Sequence, residues 1–197
     1  NAPHTPLQAP DRDIKPYLDS GLSPGLAITY AMNEVMDRGI AKIVETLDEL
    51  GLAEDTIIMF TSDNGPAFSL AGRPDQVSEG VSTDLRRYNC NFNGAKGSVY
   101  EGGIRVPMII RWPGGLEPSQ QLDEMVHGID WLPTLAGLCG IEPIEGRKLD
   151  GRDVSMVLNG ERISSPARFW QLNQFEPIGW INAAMREGPW KLVRPRV

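Results

Sequence analysis

An α/β fold followed by a small antiparallel sheet is what this sequence of 197 residues predicts, and three observations predict it. A long amphipathic run stopped by glycine leads directly into Ile57-Ile58-Met59-Phe60, a continuous apolar stretch of the kind found in strands covered on both faces by helices. A second such stretch, Val106 to Trp112, is closed by Pro113-Gly114-Gly115. From Ala167 onward the pattern changes to short aromatic and β-branched segments separated by turn residues, which read as hairpin strands.

Each element has a local cause. Residues 1–22 are rich in Pro and Asp and lack a sustained hydrophobic period, which predicts an irregular segment lying over another part of the fold. Ser23 as N-cap and Pro24 at the first helical position open a helix. Its apolar residues Ile28, Met32, Val35, Met36, Ile40, Ile43, Leu47 and Leu50 recur at helical spacing, and Gly51 supplies the stop. The strand from Thr56 to Thr61 comes next. Residues 62–98 have no period and are rich in Gly, Pro, Asn, Asp and Arg, so they predict a long loop at the carboxyl end of that strand, and loops of this length are usually functional or disordered. A strand over Val106 to Trp112 follows, then helices over Asp130 to Cys139 and Asp153 to Leu158, each ahead of a glycine. Ala167 to Asn173, Trp180 to Arg186 and Trp190 to Arg194 predict the antiparallel sheet, with Glu187-Gly188-Pro189 as a hairpin link.

Composition sets limits on function. An apolar content of 41% suits one ordinary core with a small appended unit. No stretch approaches the roughly 20 apolar residues that cross a bilayer, and no charged-then-apolar signal segment opens the chain. The net charge of −7 argues against nucleic acid or an anionic membrane as the main partner. The two cysteines, Cys90 and Cys139, form neither a metal-ligand spacing nor a disulfide framework.

Three clusters carry chemistry. In Thr61-Ser62-Asp63-Asn64-Gly65-Pro66 a buried strand runs into an acid and an amide. Ligands collect beyond the carboxyl ends of strands in open α/β sheets, and Asp and Asn offer the hard oxygens that Ca²⁺ or Mg²⁺ takes, although Asx turns are commoner than metal sites. Asn93-Gly94-Ala95-Lys96-Gly97-Ser98-Val99-Tyr100-Glu101-Gly102-Gly103-Ile104-Arg105-Val106-Pro107 sets Lys96 among small residues, where a cation reaches an anionic ligand unobstructed or is simply solvated. Glu101 and Arg105 are spaced to pin that loop. His4 stands between prolines in Ala2-Pro3-His4-Thr5-Pro6-Leu7-Gln8-Ala9-Pro10, a stiff setting that suits a general acid as well as an ordinary surface histidine.

Taken in order, these clusters, with Tyr30-Ala31-Met32, Met36-Asp37, Ile129-Asp130-Trp131-Leu132-Pro133-Thr134-Leu135, Leu149-Asp150-Gly151 and Arg186-Glu187-Gly188-Pro189-Trp190-Lys191-Leu192, resemble the sulfatase family of the alkaline phosphatase superfamily over nearly the whole chain. The resemblance implies part of an alkaline-phosphatase-like mixed sheet flanked by helices over residues 1–145, and a small C-terminal subdomain over residues 146–197. It implies that Asp63 and Asn64 are two ligands of a calcium ion, with Mg²⁺ the alternative. By the same resemblance Lys96 contacts the sulfate and the leaving oxygen, His4 lies beside the ester, and Arg105 supports the lysine loop. His127, ahead of the Asp130 helix, is assigned a structural role. The implied reaction is sulfuric ester hydrolysis, on a small sulfate ester or a sulfated glycan, by a periplasmic or secreted enzyme.

The sequence departs from the family at the nucleophile. Sulfatases use a formylglycine made from Cys or Ser in Cys/Ser-x-Pro-Ser-Arg; Cys90 is followed by Asn-Phe-Asn, Cys139 by Gly-Ile-Glu, and no serine begins such a stretch. The family's early acidic metal ligands and upstream basic residues are likewise missing. The expectation is a carboxyl-terminal half whose partner is the N-terminal half of the same enzyme, inactive alone. Two further readings are a phosphate or phosphonate ester hydrolase of the same superfamily and a non-catalytic oxyanion-binding remnant. Trp170, Phe175 and Trp180, with the loop Ala67 to Asn91, have the aromatic character to shape a sugar or aryl pocket, but filling the junction between the two sheets is the preferred expectation for the tryptophans.

Overall fold

The computed structural model describes residues 3–67, 89–142, 146–172 and 181–195. The chain divides into two compact units, Asn1–Ile109 and Ile110–Val197.

The first unit opens with helix α1, Asp11–Asp19, inside the segment whose sequence predicts irregular chain. Asp11 and Asp13 in its first turn suit the positive end of the helix dipole, but Pro16 lies inside it and removes one backbone bond. Contacts with the next helix hold it instead. Tyr17 meets Tyr30 edge-on with ring centroids 5.8 Å apart, the Tyr17 hydroxyl donates to Glu34 at 3.0 Å, and Arg38 pairs with the nearly buried Asp13 at 2.9 Å. Ile14, Tyr17 and Leu18 stand at helical spacing, but the period is only one turn long and a proline interrupts it, so the sequence signal is weak beside these contacts.

Helix α2, Pro24–Glu49, begins after Ser23 as the sequence predicts. Its end is a Schellman motif: Leu52 N–H donates to the Leu47 carbonyl at 2.9 Å and Gly51 N–H to the Asp48 carbonyl at 3.2 Å, with Gly51 at φ +67°. The buried residues of α2 all lie in its first third, including Leu26, Ala27, Ala31 and Met32. Leu7 packs on Met32, which anchors the chain that carries His4.

A 3₁₀ turn, Ala53–Asp55, leads into strand β1, Ile58–Thr61, neighbour of β2, Met108–Arg111, in a two-stranded sheet. The apolar run of β1 predicts cover on both faces. Ile58, Met59 and Phe60 are instead half-buried, because β1 has a single strand neighbour among the described residues. One turn of helix, α3, Glu101–Ile104, precedes β2.

In the second unit a 3₁₀ turn, Gly128–Asp130, runs into helix α4, Trp131–Leu138, and a short helix α5, Ser155–Leu158, follows. Strands β3, Arg168–Gln171, β4, Ala183–Glu187, and β5, Trp190–Arg194, form an antiparallel sheet in that order. Glu187 pairs with Trp190, so Gly188-Pro189 is a two-residue turn. Gly188 has φ +52° at its first central position, as a type II′ turn requires, and the proline beside it rules out type I′.

The register puts Phe169, Met185 and Leu192 side by side on one face of this sheet, with Trp190 beyond them, and Arg168, Arg186 and Lys191 on the other. The apolar face is the open one: Phe169, Leu192 and Trp190 are 68%, 75% and 81% exposed, whereas Arg168 is buried. Arg168 pairs there with Asp130, whose carboxylate also accepts from His127 N–H at 3.0 Å and Arg152 N–H at 3.1 Å. The Asp130 carbonyl accepts from Thr134 Oγ1 at 2.6 Å, and that hydroxyl accepts from Val154 N–H at 2.9 Å. Asp130 and Thr134 have no exposed surface.

Candidate functional site

Strand β1 ends at Thr61, and its last hydroxyl donates to the Pro107 carbonyl at 3.0 Å, which ties the strand end to the approach of β2. Asp63 is exposed just beyond. The Ser62 hydroxyl donates to the Asn64 carbonyl at 2.9 Å, and Asn64 Nδ2 donates to the Gly65 carbonyl at 3.1 Å. The second bond commits the amide nitrogen to the backbone and leaves the oxygen as the atom of that side chain able to ligate. One carboxylate and one amide oxygen fit a hard divalent cation in kind, and they supply two of the roughly six to eight oxygens that calcium takes. Among the described residues no group of three or more His, Cys, Asp or Glu gathers to hold a metal ion.

The loop that carries Lys96 is stitched to this turn through the main chain. Lys96 N–H donates to the Pro66 carbonyl and Gly65 N–H to the Gly103 carbonyl, each at 2.9 Å. Glycine makes the approach possible. A Cβ on Gly65 would fall on the Gly102 carbonyl, one on Gly102 on the Gly94 carbonyl, and one on Gly103 on the Ser98 carbonyl. Gly94 and Gly97, on either side of Ala95 and Lys96, take φ +81° and +88°. The structure thus brings together Asp63, Asn64 and Lys96, residues about 30 positions apart, on two interlocked loops. The Lys96 side chain is exposed.

Arg105 caps the end of α3, with Nη1 4.0 Å from Glu101 and its guanidinium 4.9 Å above the Phe92 ring. His4 sits on a separate piece of chain: it is exposed, and its Nδ1 donates to the Thr5 carbonyl at 2.9 Å. With Nδ1 turned to a carbonyl, Nε2 is the ring atom available to a ligand. The loop predicted over Ala67 to Asn91 falls largely outside the described residues, as do Phe175 and Trp180. Trp170 is half-buried, between the His127 ring at 5.1 Å and Lys191 at 5.7 Å.

His127 is part of the scaffold. Its Nδ1 accepts from Ile129 N–H at 3.3 Å while the His127 backbone N–H donates to the Asp130 carboxylate, a reciprocal cap on the 3₁₀ turn. Burial pushes its pKa below the usual histidine value, the Arg168 charge adds to that, and Asp130 opposes it. Sequence reasoning missed the Gly65 to Gly103 stitch. Its signal was present in the glycines of both motifs, but nothing in one loop names its partner in the other.

Comparisons with known proteins show the family and the fold. The family model described as Sulfatase matches residues 1–141, and the one described as N-sulphoglucosamine sulphohydrolase, C-terminal, matches residues 94–193. The chain is 39% identical to the steryl-sulfatase of Mus musculus over 69% of its own length and 21% of that protein. It is 33% identical to the N-acetylgalactosamine-6-O-sulfatase of Bacteroides thetaiotaomicron over 81% of its length and 30% of that protein. The solved structure named Ps i-CgsB superposes with a TM-score of 0.80 at 28% identity, covering 98% of this chain and 39% of the other. The fold is that of the alkaline-phosphatase-like hydrolases. The chain belongs to the sulfatase family, and it spans between a fifth and a third of the length of these two curated relatives.

Proposed function

We propose that these residues supply part of the metal and sulfate site of a sulfuric ester hydrolase. The observation that carries the reading is the pair of backbone bonds that locks the Asp63-Asn64 turn to the Lys96 loop. In this reading Asp63 and Asn64 would hold a calcium ion, with Mg²⁺ the alternative, and the chemistry it would supply there is Lewis-acid stabilisation of charge on the sulfate oxygens. Lys96, carried between glycines, meets the oxyanion and the leaving oxygen. A preorganised donor aimed at developing charge is typically worth about 10²–10³ in turnover. His4 presents Nε2 to the departing alcohol and delivers a proton there, while its Nδ1–H holds the ring against the Thr5 carbonyl. Arg105, between Glu101 and Phe92, keeps the lysine loop on its course.

The nucleophile of this reading is a formylglycine, and no cysteine or serine of this chain begins a Cys/Ser-x-Pro-Ser-Arg stretch. The same reading takes residues 1–145 as part of the catalytic domain and 146–197 as a small subdomain, and it takes the substrate as a small sulfate ester or a sulfated glycan in the periplasm or outside the cell. The named activities of the relatives support that substrate class: one acts as a steryl-sulfatase, another as an N-acetylgalactosamine-6-O-sulfatase.

The test is sulfate release from an aryl sulfate by the full-length protein, run beside the matching phosphate ester. Lys96→Ala is expected to lower sulfate release by about 10²–10³, and chelation to abolish it reversibly. Preferential phosphate release would move the protein to the phosphoesterase branch of the superfamily. Sulfate binding without turnover of either ester would mark it as an oxyanion-binding remnant.

A further inference from the structure

Upstream of Lys96 the chain makes a turn whose geometry is unusual for its residues. Phe92 N–H donates to the Asn89 carbonyl at 3.0 Å, and the two residues between, Cys90 and Asn91, have φ +56° and +59°. Positive φ at both central positions defines a type I′ turn, where glycine or asparagine is favoured and cysteine is not. Something beyond local preference has to hold it, and the half-buried Asn89 side chain does. Its Nδ2 donates to the Phe92 carbonyl at 2.8 Å and to the Gly94 carbonyl at 3.2 Å, spanning the turn and the first residues of the lysine loop.

The same amide lies 2.8 Å from where a Cβ on Gly102 would fall, beside the Gly94 carbonyl, too close for a side chain there, so the bare Gly102 leaves room for it. Gly102 N–H donates to the Asn93 carbonyl at 2.8 Å, closing the loop on α3. One carboxamide therefore fixes Phe92, over whose ring Arg105 lies, and Gly94, two residues before Lys96.

We propose that Asn89 is a positioning residue for Lys96: by holding the Phe92 and Gly94 carbonyls it sets the backbone from which the lysine reaches its oxyanion. The proposal rests on the sulfatase reading for what Lys96 does, and on the hydrogen bonds for how Lys96 is held. Asn89→Asp keeps the shape and removes both donors, setting a carboxylate against two carbonyl oxygens. In the full-length protein we expect it to lower kcat for an aryl sulfate by about 10–100-fold, with KM changed far less, since a displaced lysine is missed most in the transition state.

A merely structural role is separated by a double-mutant cycle. In a Lys96→Ala background Asn89→Asp should cost less than about 3-fold, because the group it positions is gone. Amide hydrogen exchange supplies a readout independent of catalysis: the Lys96 N–H, bonded to Pro66, should exchange faster in Asn89→Asp while the amides of α2 keep their rates. Losses that multiply in the double variant, or unchanged exchange at Lys96, would overturn the proposal. No sulfate release by the wild-type protein would bring down the sulfatase reading and the proposal with it. That outcome is recognisable because Lys96 exchange would still respond to Asn89→Asp.

Discussion

The two units organise a central node in opposite ways. Where Gly65 meets Gly102 and Gly103 the first unit joins two loops through main-chain bonds, with backbone lying directly against backbone. Around Asp130 the second unit ties the start of a 3₁₀ turn, the Gly151-Arg152 segment and a strand to one buried carboxylate. A main-chain stitch depends on having no Cβ in the way and is indifferent to charge. A carboxylate hub depends on charge, and on every donor being present at once. The first therefore leaves the side chains of Asp63, Asn64 and Lys96 available for a ligand, while the second consumes the side chains that build it.

The largest expected effect tests the second node. Asp130→Ala leaves Arg168 buried without its partner and removes the acceptor of two backbone N–H groups; loss of one member of a buried pair costs about 3–5 kcal/mol. Urea unfolding should show that loss, and a cost below about 1 kcal/mol, the range of exposed pairs, would mean the hub is not what holds the second unit.

Next comes the first node. Gly65→Ala drives a methyl into the Gly102 carbonyl, which has no side-chain freedom with which to yield. Overpacking of this kind costs about 1–3 kcal/mol. Because the strain falls between the Asp63 turn and the Lys96 loop, sulfate ester turnover should drop further than stability accounts for. Activity and stability falling in strict proportion would break the contrast drawn between the nodes.

The smallest effect is a pH dependence at the edge of the Asp130 node. His127 is harder to protonate in the folded chain than in the unfolded one. The stability that its neutral ring contributes is therefore full above the ordinary histidine pKa of about 6.5 and is lost as pH falls from there toward the lowered folded value. Protonation also ends the acceptance of Ile129 N–H by Nδ1. Denaturant midpoints taken at about pH 7.5 and 5.5 should fall more in the wild type than in His127→Gln, and equal falls would assign the dependence to other groups.

What could be read from sequence follows the same division between local and distant causes. Helix α2 was legible from Pro24 to Gly51 because capping chemistry is written within a few residues, and so was the β4 to β5 hairpin at Gly188-Pro189. Helix α1 was not, since Tyr30, Glu34 and Arg38 on another helix hold it. Asp130 could be read as a helix start but not as the partner of Arg168, which stands 38 residues away. At the candidate site the residue types were legible. The bond from Lys96 to Pro66, which makes neighbours of two separate motifs, was not.

The sheet of the second unit carries one more consequence, for how solution measurements on this chain should be interpreted. Dyes such as ANS brighten on exposed apolar surface, and the brightening is commonly taken as a sign of a molten globule. With Phe169, Leu192 and Trp190 lying open on one face, the chain should brighten such a dye while fully native. Loss of near-ultraviolet circular dichroism, rather than dye fluorescence, is the signal that would report its unfolding.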